Sequence, residues 1–175
     1  MRQVEVPVSR LLLSNHVVEA AVISYADLIA RGFADAVHKV VVAEVFPGDA
    51  RSRKLAAELE AMELADPAER NFVVIEGNHR AVAHALMRLS LPCLELENDA
   101  DLEECRRLAE EGRGGRFVHR DTELEPLIRR ALEMSATHLT YSPRIAVEHA
   151  RELVRTQTIN VLELPRFLRD QVLVS

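Results

Sequence analysis

The ten residues 72–81, FVVIEGNHRA, decide the fold of this 175-residue chain. The first four are apolar and mostly β-branched, which predicts a buried strand. Gly77 then indicates a tight turn, because glycine adopts backbone angles that are closed to other residues. Apolar side chains at three- and four-residue spacing predict a helix over 81–89, and the segment 91–97, LPCLELE, is predicted to be another strand. A strand–turn–helix–strand unit of this kind most often pairs its two strands in parallel.

Weaker patterns before this unit predict further elements. They comprise an alternating strand on Val4, Val6 and Val8, a helix over 17–30 that ends at Gly32, a buried strand over 40–45 and a helix on the stripe Leu55, Leu59 and Met62. Pro7 places the first strand at an edge of the sheet, since proline donates no ladder hydrogen bond. We interpret 48–70 as an insertion.

The last part of the chain is predicted to be mainly helical. Its elements are a helix closed by Gly112, a helix behind the capping box of Thr122 and Glu125, a helix from Ser142-Pro143 to about 154, a short strand over 159–164 and a short helix over 166–173. The sequence therefore predicts an α/β domain over 1–97, followed by a mainly helical extension over 98–175. We expect the extension to pack on the domain or to form a homodimer.

The composition is that of a globular protein, with 48% hydrophobic and 29% charged residues. The formal net charge is −6, so the average field repels nucleic acid. Tryptophan is absent and aromatic residues make up only 4% of the chain, which leaves little surface on which bases could stack. Nucleic acid is therefore not the expected partner.

The two cysteines and the hydropathy pattern point to an ordinary protein of the cytosol. Cys93 and Cys105 have no CxxC or Cys/His spacing around them, so we expect no metal site and interpret both as reduced core thiols. No stretch approaches the roughly 18 apolar residues that span a bilayer, and the first residues lack the pattern of a signal peptide. We expect a cytoplasmic protein without a membrane partner.

The GNHR turn (77–80) is the best candidate for a chemical site. The helix after Gly77 presents unpaired N–H groups and the positive end of its dipole, which together bind anions readily. Arg80 adds a planar fork of donors that matches phosphate, and His79 adds a group that donates or accepts near neutral pH. The alternative is structural: Asn78 caps the helix, His79 packs, and Arg80 pairs with a surface carboxylate.

Residues 71–97 resemble the core of the ParB/sulfiredoxin superfamily. The likeness rests on the hydrophobic strand, the Gly-Asn-His-Arg turn, the Ala-rich helix and the Leu-Pro-x-Leu-x-Leu strand. Upstream, Val6-Pro7-Val8, Leu13-Ser14-Asn15 and Ala30-Arg31-Gly32-Phe33 are similar to the first half of that superfamily. The resemblance implies an α/β (α+β) fold with a small mixed sheet. It also implies that the GNHR turn holds the phosphates of a nucleotide such as ATP, ADP or CTP, with or without Mg²⁺.

The turn differs between branches of the superfamily. Sulfiredoxins carry a catalytic cysteine where this chain has Asn78, so repair of sulfinic acid is not expected. ParB proteins usually carry paired arginines, of which His79 replaces the first, and we find no helix-turn-helix pattern after residue 98. Free-serine kinases have an acidic residue, glycine, two histidines and arginine, and Glu76-Gly77-Asn78-His79-Arg80 departs from that pattern at one histidine.

Two functions follow from the resemblance. The first is a nucleotide-dependent phosphotransferase that acts on a small hydroxylated substrate. In that enzyme the GNHR turn holds the phosphates, His79 takes part in catalysis and Glu19 in the first helix is the candidate base. His16 is a further candidate ligand or base. The second function is a ParB-like module in which a bound nucleotide controls association with DNA or a protein partner, without catalysis.

Overall fold

The computed structural model describes residues 1–33, 38–45, 70–113, 117, 119–138 and 145–159. Its strands are β1 (Arg2–Val6), β2 (Leu11–Leu12), β3 (Val40–Glu44), β4 (Phe72–Glu76) and β5 (Leu91–Leu96). Its helices are α1 (Glu19–Ala30), α2 (Asn78–Leu86), α3 (Asp99–Glu110), α4 (Leu124–His138) and α5 (Ala146–Arg155), with a 3₁₀ turn over Val8–Arg10. The helix predicted on Leu55, Leu59 and Met62 and the elements predicted beyond Ile159 lie outside these residues.

The five described strands form one mixed sheet in the order β1-β5-β3-β4-β2, which confirms the α/β class. β3 runs parallel to β5 and antiparallel to β4. The predicted parallel pairing of the strands on either side of the GNHR turn is therefore wrong, because β3 separates β4 from β5 and these two run in opposite directions. β3 suits a central position, since Val40 and Val42 enter the core on one face of the sheet while Val41 and Ala43 enter the core on the other.

Helices cover both faces of the sheet. α1, α2 and α5 pack over one face, where their apolar residues share a core with Val42 and Val74. α3 and α4 cover the other face, around Val73 and Leu102. α5 contacts both α2 and the 3₁₀ turn, so a helix from the predicted C-terminal extension packs on the first half of the chain. Within the described residues, no helix is long and apolar enough to cross a membrane.

Two of the element boundaries that differ from the sequence prediction have a local reason. The edge position of β1 is confirmed, but the strand ends at Val6 and not at Val8. The chain instead enters a 3₁₀ turn, whose first carbonyl, that of Pro7, accepts a hydrogen bond at 2.8 Å. α2 begins at Asn78, three residues earlier than predicted, because the left-handed conformation of Gly77 lets the helix start directly after the strand.

One carboxylate is buried in the sheet. Glu95 on β5 is 1% exposed, and Arg2, its register partner on β1, donates a hydrogen bond of 2.6 Å to it from Nη2. Arg70 donates to the same carboxylate and, at 2.7 Å, to Glu44. The two cations offset the cost of removing this charge from water.

Candidate functional site

The GNHR turn connects β4 to α2, and Gly77 adopts the unusual backbone that the sequence predicts. It is the N-cap of α2, with φ of 104° and ψ of 32°, in the left-handed region. A Cβ built on Gly77 would lie 2.9 Å from Nη2 of Arg80 and 2.9 Å from Cγ2 of Val40. Any side chain here would be strained by the backbone and would crowd both neighbours, so the turn requires glycine.

The first turn of α2 presents main-chain donors. The N–H of Ala81 donates to the carbonyl of Gly77 at 3.0 Å, which is the first hydrogen bond of the helix. Asn78, His79 and Arg80 precede that bond, so their N–H groups have no acceptor within the helix. These donors lie at the positive end of the helix dipole, which is the arrangement that binds anions.

Asn78 joins the turn to the loop after β2. Its Oδ1 accepts a hydrogen bond from the N–H of Ser14 at 2.9 Å, and its Nδ2 donates to Oγ of Ser14 at 3.3 Å. Both residues are buried. Asn78 does not cap the helix, since Gly77 holds the N-cap position. Its side chain instead fixes the loop that leads to α1 beside the GNHR turn.

His79 is half-buried and carries an unsatisfied nitrogen. Its Nε2 is buried and has no hydrogen-bond partner among the described residues. Burial lowers the pKa of the imidazole below its ordinary value, and the neighbouring Arg80 guanidinium lowers this pKa further. His79 is therefore mostly neutral at pH 7. An anion bound nearby would offset the effect of Arg80 and favour the protonated form.

Arg80 is buried, and one edge of its guanidinium is held by the main chain. The residue is 6% exposed, and Nη1 donates to the carbonyl oxygens of His38 and Lys39, the second at 3.0 Å. Nη2 lies 3.7 Å from Oε1 of Glu76 and makes no hydrogen bond within the described part of the chain. Burial lowers the pKa of Arg80 while Glu76 opposes that shift, and the guanidinium stays cationic at neutral pH.

Glu19 and His16, the predicted acid–base candidates, follow Ser14 along the chain. Glu19 is the first residue of α1, and both side chains are exposed. In the described ranges, no hydrogen bond or ion pair joins Glu19 to the GNHR turn. α1 packs against α2. The hydrogen bond between Ser14 and Asn78 also brings the start of the segment 14–19, which contains both candidates, to the turn. The side chain of Glu19 itself is left in solvent.

The cysteines and other candidate metal ligands do not gather into a centre in the part of the chain that is described. No group of three His, Cys, Asp or Glu side chains there could hold a metal ion. Both cysteines are buried and free, and burial raises the pKa of Cys93 to about 12 and that of Cys105 to about 11. They are protonated thiols at neutral pH and therefore weak nucleophiles.

Sequence reasoning missed the contacts that hold the turn in place. These are the side-chain pair of Ser14 and Asn78 and the carbonyl oxygens of His38 and Lys39, which hold Arg80. The first contact has a signal in the sequence, which is an asparagine at the start of a helix. Once its side-chain amide is buried, it needs hydrogen-bond partners. Main-chain carbonyls carry no side-chain signal, so the second contact could not be found in this way.

Comparisons of the chain with protein-family models, curated proteins and solved structures give no significant match. The resemblance to the ParB/sulfiredoxin superfamily therefore stays a prediction that rests on the quoted motifs.

Proposed function

We propose that the protein binds the phosphate groups of a nucleotide, ATP, ADP or CTP, at the GNHR turn and transfers a phosphoryl group to a small hydroxylated substrate. One observation carries this proposal. The buried guanidinium of Arg80 is anchored through Nη1, while Nη2 lies against Gly77 with no hydrogen bond inside the described structure. A preorganised cation with an unused donor, beside the free N–H groups of a helix start, is suited to an oxyanion.

Three kinds of donor support phosphate binding at the turn. The N–H groups of Asn78, His79 and Arg80 have no helical acceptor, Nη2 of Arg80 has an unused donor, and the imidazole of His79 adds a neutral donor. Hydrogen bonds from a cation to phosphate are shorter and stronger than bonds between neutral groups. Gly77 has no Cβ, and a Cβ there would lie 2.9 Å from Nη2, so the glycine keeps a side chain away from this edge of the guanidinium.

The segment 14–19 supports the transfer step. The Ser14–Asn78 contact holds the start of this segment beside the turn, and Glu19 and His16 stand exposed within it. In the proposed step the substrate hydroxyl oxygen attacks the terminal phosphorus, and the bond from phosphorus to the bridging oxygen breaks. The hydroxyl proton passes to Glu19, and the shortened nucleotide leaves. His79 contacts the phosphate that is transferred.

A ParB-like module without catalysis is the second candidate. It is favoured because, among the described residues, no hydrogen bond or ion pair joins Glu19 to the GNHR turn. The nucleotide would bind through the same donors but would not be consumed. The presence of bound nucleotide would then control association with DNA or with a protein partner. The net charge of −6 favours the protein partner, because the average field repels DNA.

Calorimetric titration of the full chain with ATP, ADP, CTP and GTP, each with and without Mg²⁺, tests nucleotide binding. We expect saturable binding of at least one nucleotide, and a gain of about 2.7 kcal/mol in the free energy of unfolding at 100 times its Kd. His79→Gln should weaken binding about tenfold. His84→Gln, the same change five residues along α2, should leave affinity unchanged. No binding of any of the four nucleotides would refute the proposal.

Phosphorus NMR with the bound nucleotide and a panel of small alcohols that includes serine and glycerol separates the two candidates. A phosphotransferase gives a new phosphomonoester signal, and Glu19→Gln should abolish this signal while nucleotide affinity stays the same. Saturable binding with no product from any alcohol would instead support the module without catalysis.

A further inference from the structure

Arg80 links the GNHR turn to the residues that lead into the central strand. Its Nη1 donates to the carbonyl oxygens of His38 and Lys39, and these two residues directly precede β3. β3 is hydrogen-bonded to β4 on one side and to β5 on the other. A single guanidinium therefore connects the start of α2 with the start of the strand at the centre of the sheet.

The packing around Arg80 leaves it little freedom to move alone. A Cβ on Gly77 would lie 2.9 Å both from Nη2 and from Cγ2 of Val40, so the turn, the guanidinium and the first residue of β3 lie close together. Val40 is 1% exposed and Arg80 is 6% exposed. Close-packed protein interiors have low compressibility and transmit a displacement rather than absorb it.

The two terminal nitrogens of the Arg80 guanidinium differ in their hydrogen bonding. Nη1 already serves two carbonyl oxygens, whereas the nearest partner of Nη2 is Oε1 of Glu76 at 3.7 Å. An oxyanion at the turn can therefore accept a hydrogen bond from Nη2 without displacing either carbonyl. A guanidinium bonded at both edges is fixed in its plane, and the bonds from Nη1 become more persistent as a result.

We propose that Arg80 couples occupancy of the GNHR turn to the start of β3, so that a bound phosphate slows the local opening of residues 38–41. This inference rests on the proposed phosphate site. By linkage, whatever holds residues 38–41 closed also strengthens phosphate binding. Arg80 is thus a positioning residue as well as a ligand, and it transmits the bound state to the middle of the sheet.

Amide hydrogen exchange of the full chain, resolved by NMR, tests this coupling. The probe is inorganic phosphate, with sodium chloride at equal ionic strength as the reference. We expect saturating phosphate to slow exchange of the amides of 38–41 at least about threefold. Arg80→Lys keeps the charge but lacks the fork, so it should bind phosphate more weakly and lose this slowing. Arg88→Lys, just beyond the end of α2, should behave as the wild type.

The outcomes separate the coupling from the site. Saturable shifts of the turn amides with unchanged exchange at 38–41 would overturn the coupling and leave the proposed function standing. The same slowing in Arg80→Lys at saturating phosphate would assign the effect to the turn and overturn the role of Arg80. No saturable shift at the turn in the wild type would overturn the proposed function and the coupling together.

Discussion

Arg80→Ala is expected to destabilise the ligand-free protein by about 2–4 kcal/mol. The change removes Nη1, which donates to two main-chain oxygens, and a hydrogen bond from a charged group contributes about 1.5–3 kcal/mol. Both bonds share one nitrogen, so we count them as less than additive. We count the ion pair with Glu76 as zero, because it is 3.7 Å long and that carboxylate is 27% exposed. The lost packing of the buried stem adds to the cost.

Urea unfolding and calorimetry measure this effect. In a chain of this size 1 kcal/mol moves Tm by about 2–4 °C, so the Tm of Arg80→Ala should fall by roughly 5–15 °C. Arg155→Ala on α5 is the matched control, because that side chain is 70% exposed and pairs with Glu152 at the surface. It should change stability by less than about 0.5 kcal/mol. A loss in Arg80→Ala no larger than in the control would refute the inward anchoring of Arg80.

The same variants report on the ligand. Below its melting temperature, Arg80→Ala should bind the nucleotide about ten- to hundredfold more weakly than the wild type, because one charge-assisted hydrogen bond is lost. Arg80→Lys should lie between the two proteins, since an ammonium keeps the charge without the fork. Unchanged nucleotide affinity in Arg80→Ala would refute the proposal that Nη2 donates a hydrogen bond to the phosphate.

Two further predictions concern stability. Gly77→Ala should cost about 1–3 kcal/mol in urea unfolding and more than Gly112→Ala, because both positions have positive φ but only the Cβ at Gly77 meets close neighbours; equal costs would contradict the steric argument. Burial lowers the pKa of His79 and of His84, so below about pH 6.5 the folded protein binds fewer protons than the unfolded chain. The stability from these two groups is fully present above that pH and falls as the pH drops toward their lowered pKa values. Urea midpoints at pH 7.5 and 5.5 should differ less in the double variant His79→Gln, His84→Gln than in the wild type, and an equal difference would contradict the assignment.

The sequence by itself determined the elements around the turn and the conformation of Gly77. The β-branched run before Glu76 and the apolar spacing after Gly77 depend on neighbours within a few residues, so they indicate a strand and a helix without tertiary information. The edge position of β1 was also predicted, but Pro7, on which that prediction rested, lies just outside the strand, which ends at Val6.

Only the tertiary structure decided the order of the strands and the partners of the turn. β3 lies between β4 and β5, and no local pattern states which strand will enter between two others. Asn78 meets Ser14 across 64 positions of the chain, and Arg80 meets the carbonyl oxygens of His38 and Lys39 across 42 and 41 positions. Main-chain carbonyls are chemically alike at every residue, so side-chain pattern cannot mark which of them will accept a hydrogen bond. Which edge of the Arg80 guanidinium is held by the protein and which is left beside Gly77 is therefore set by packing and not by spacing in the sequence.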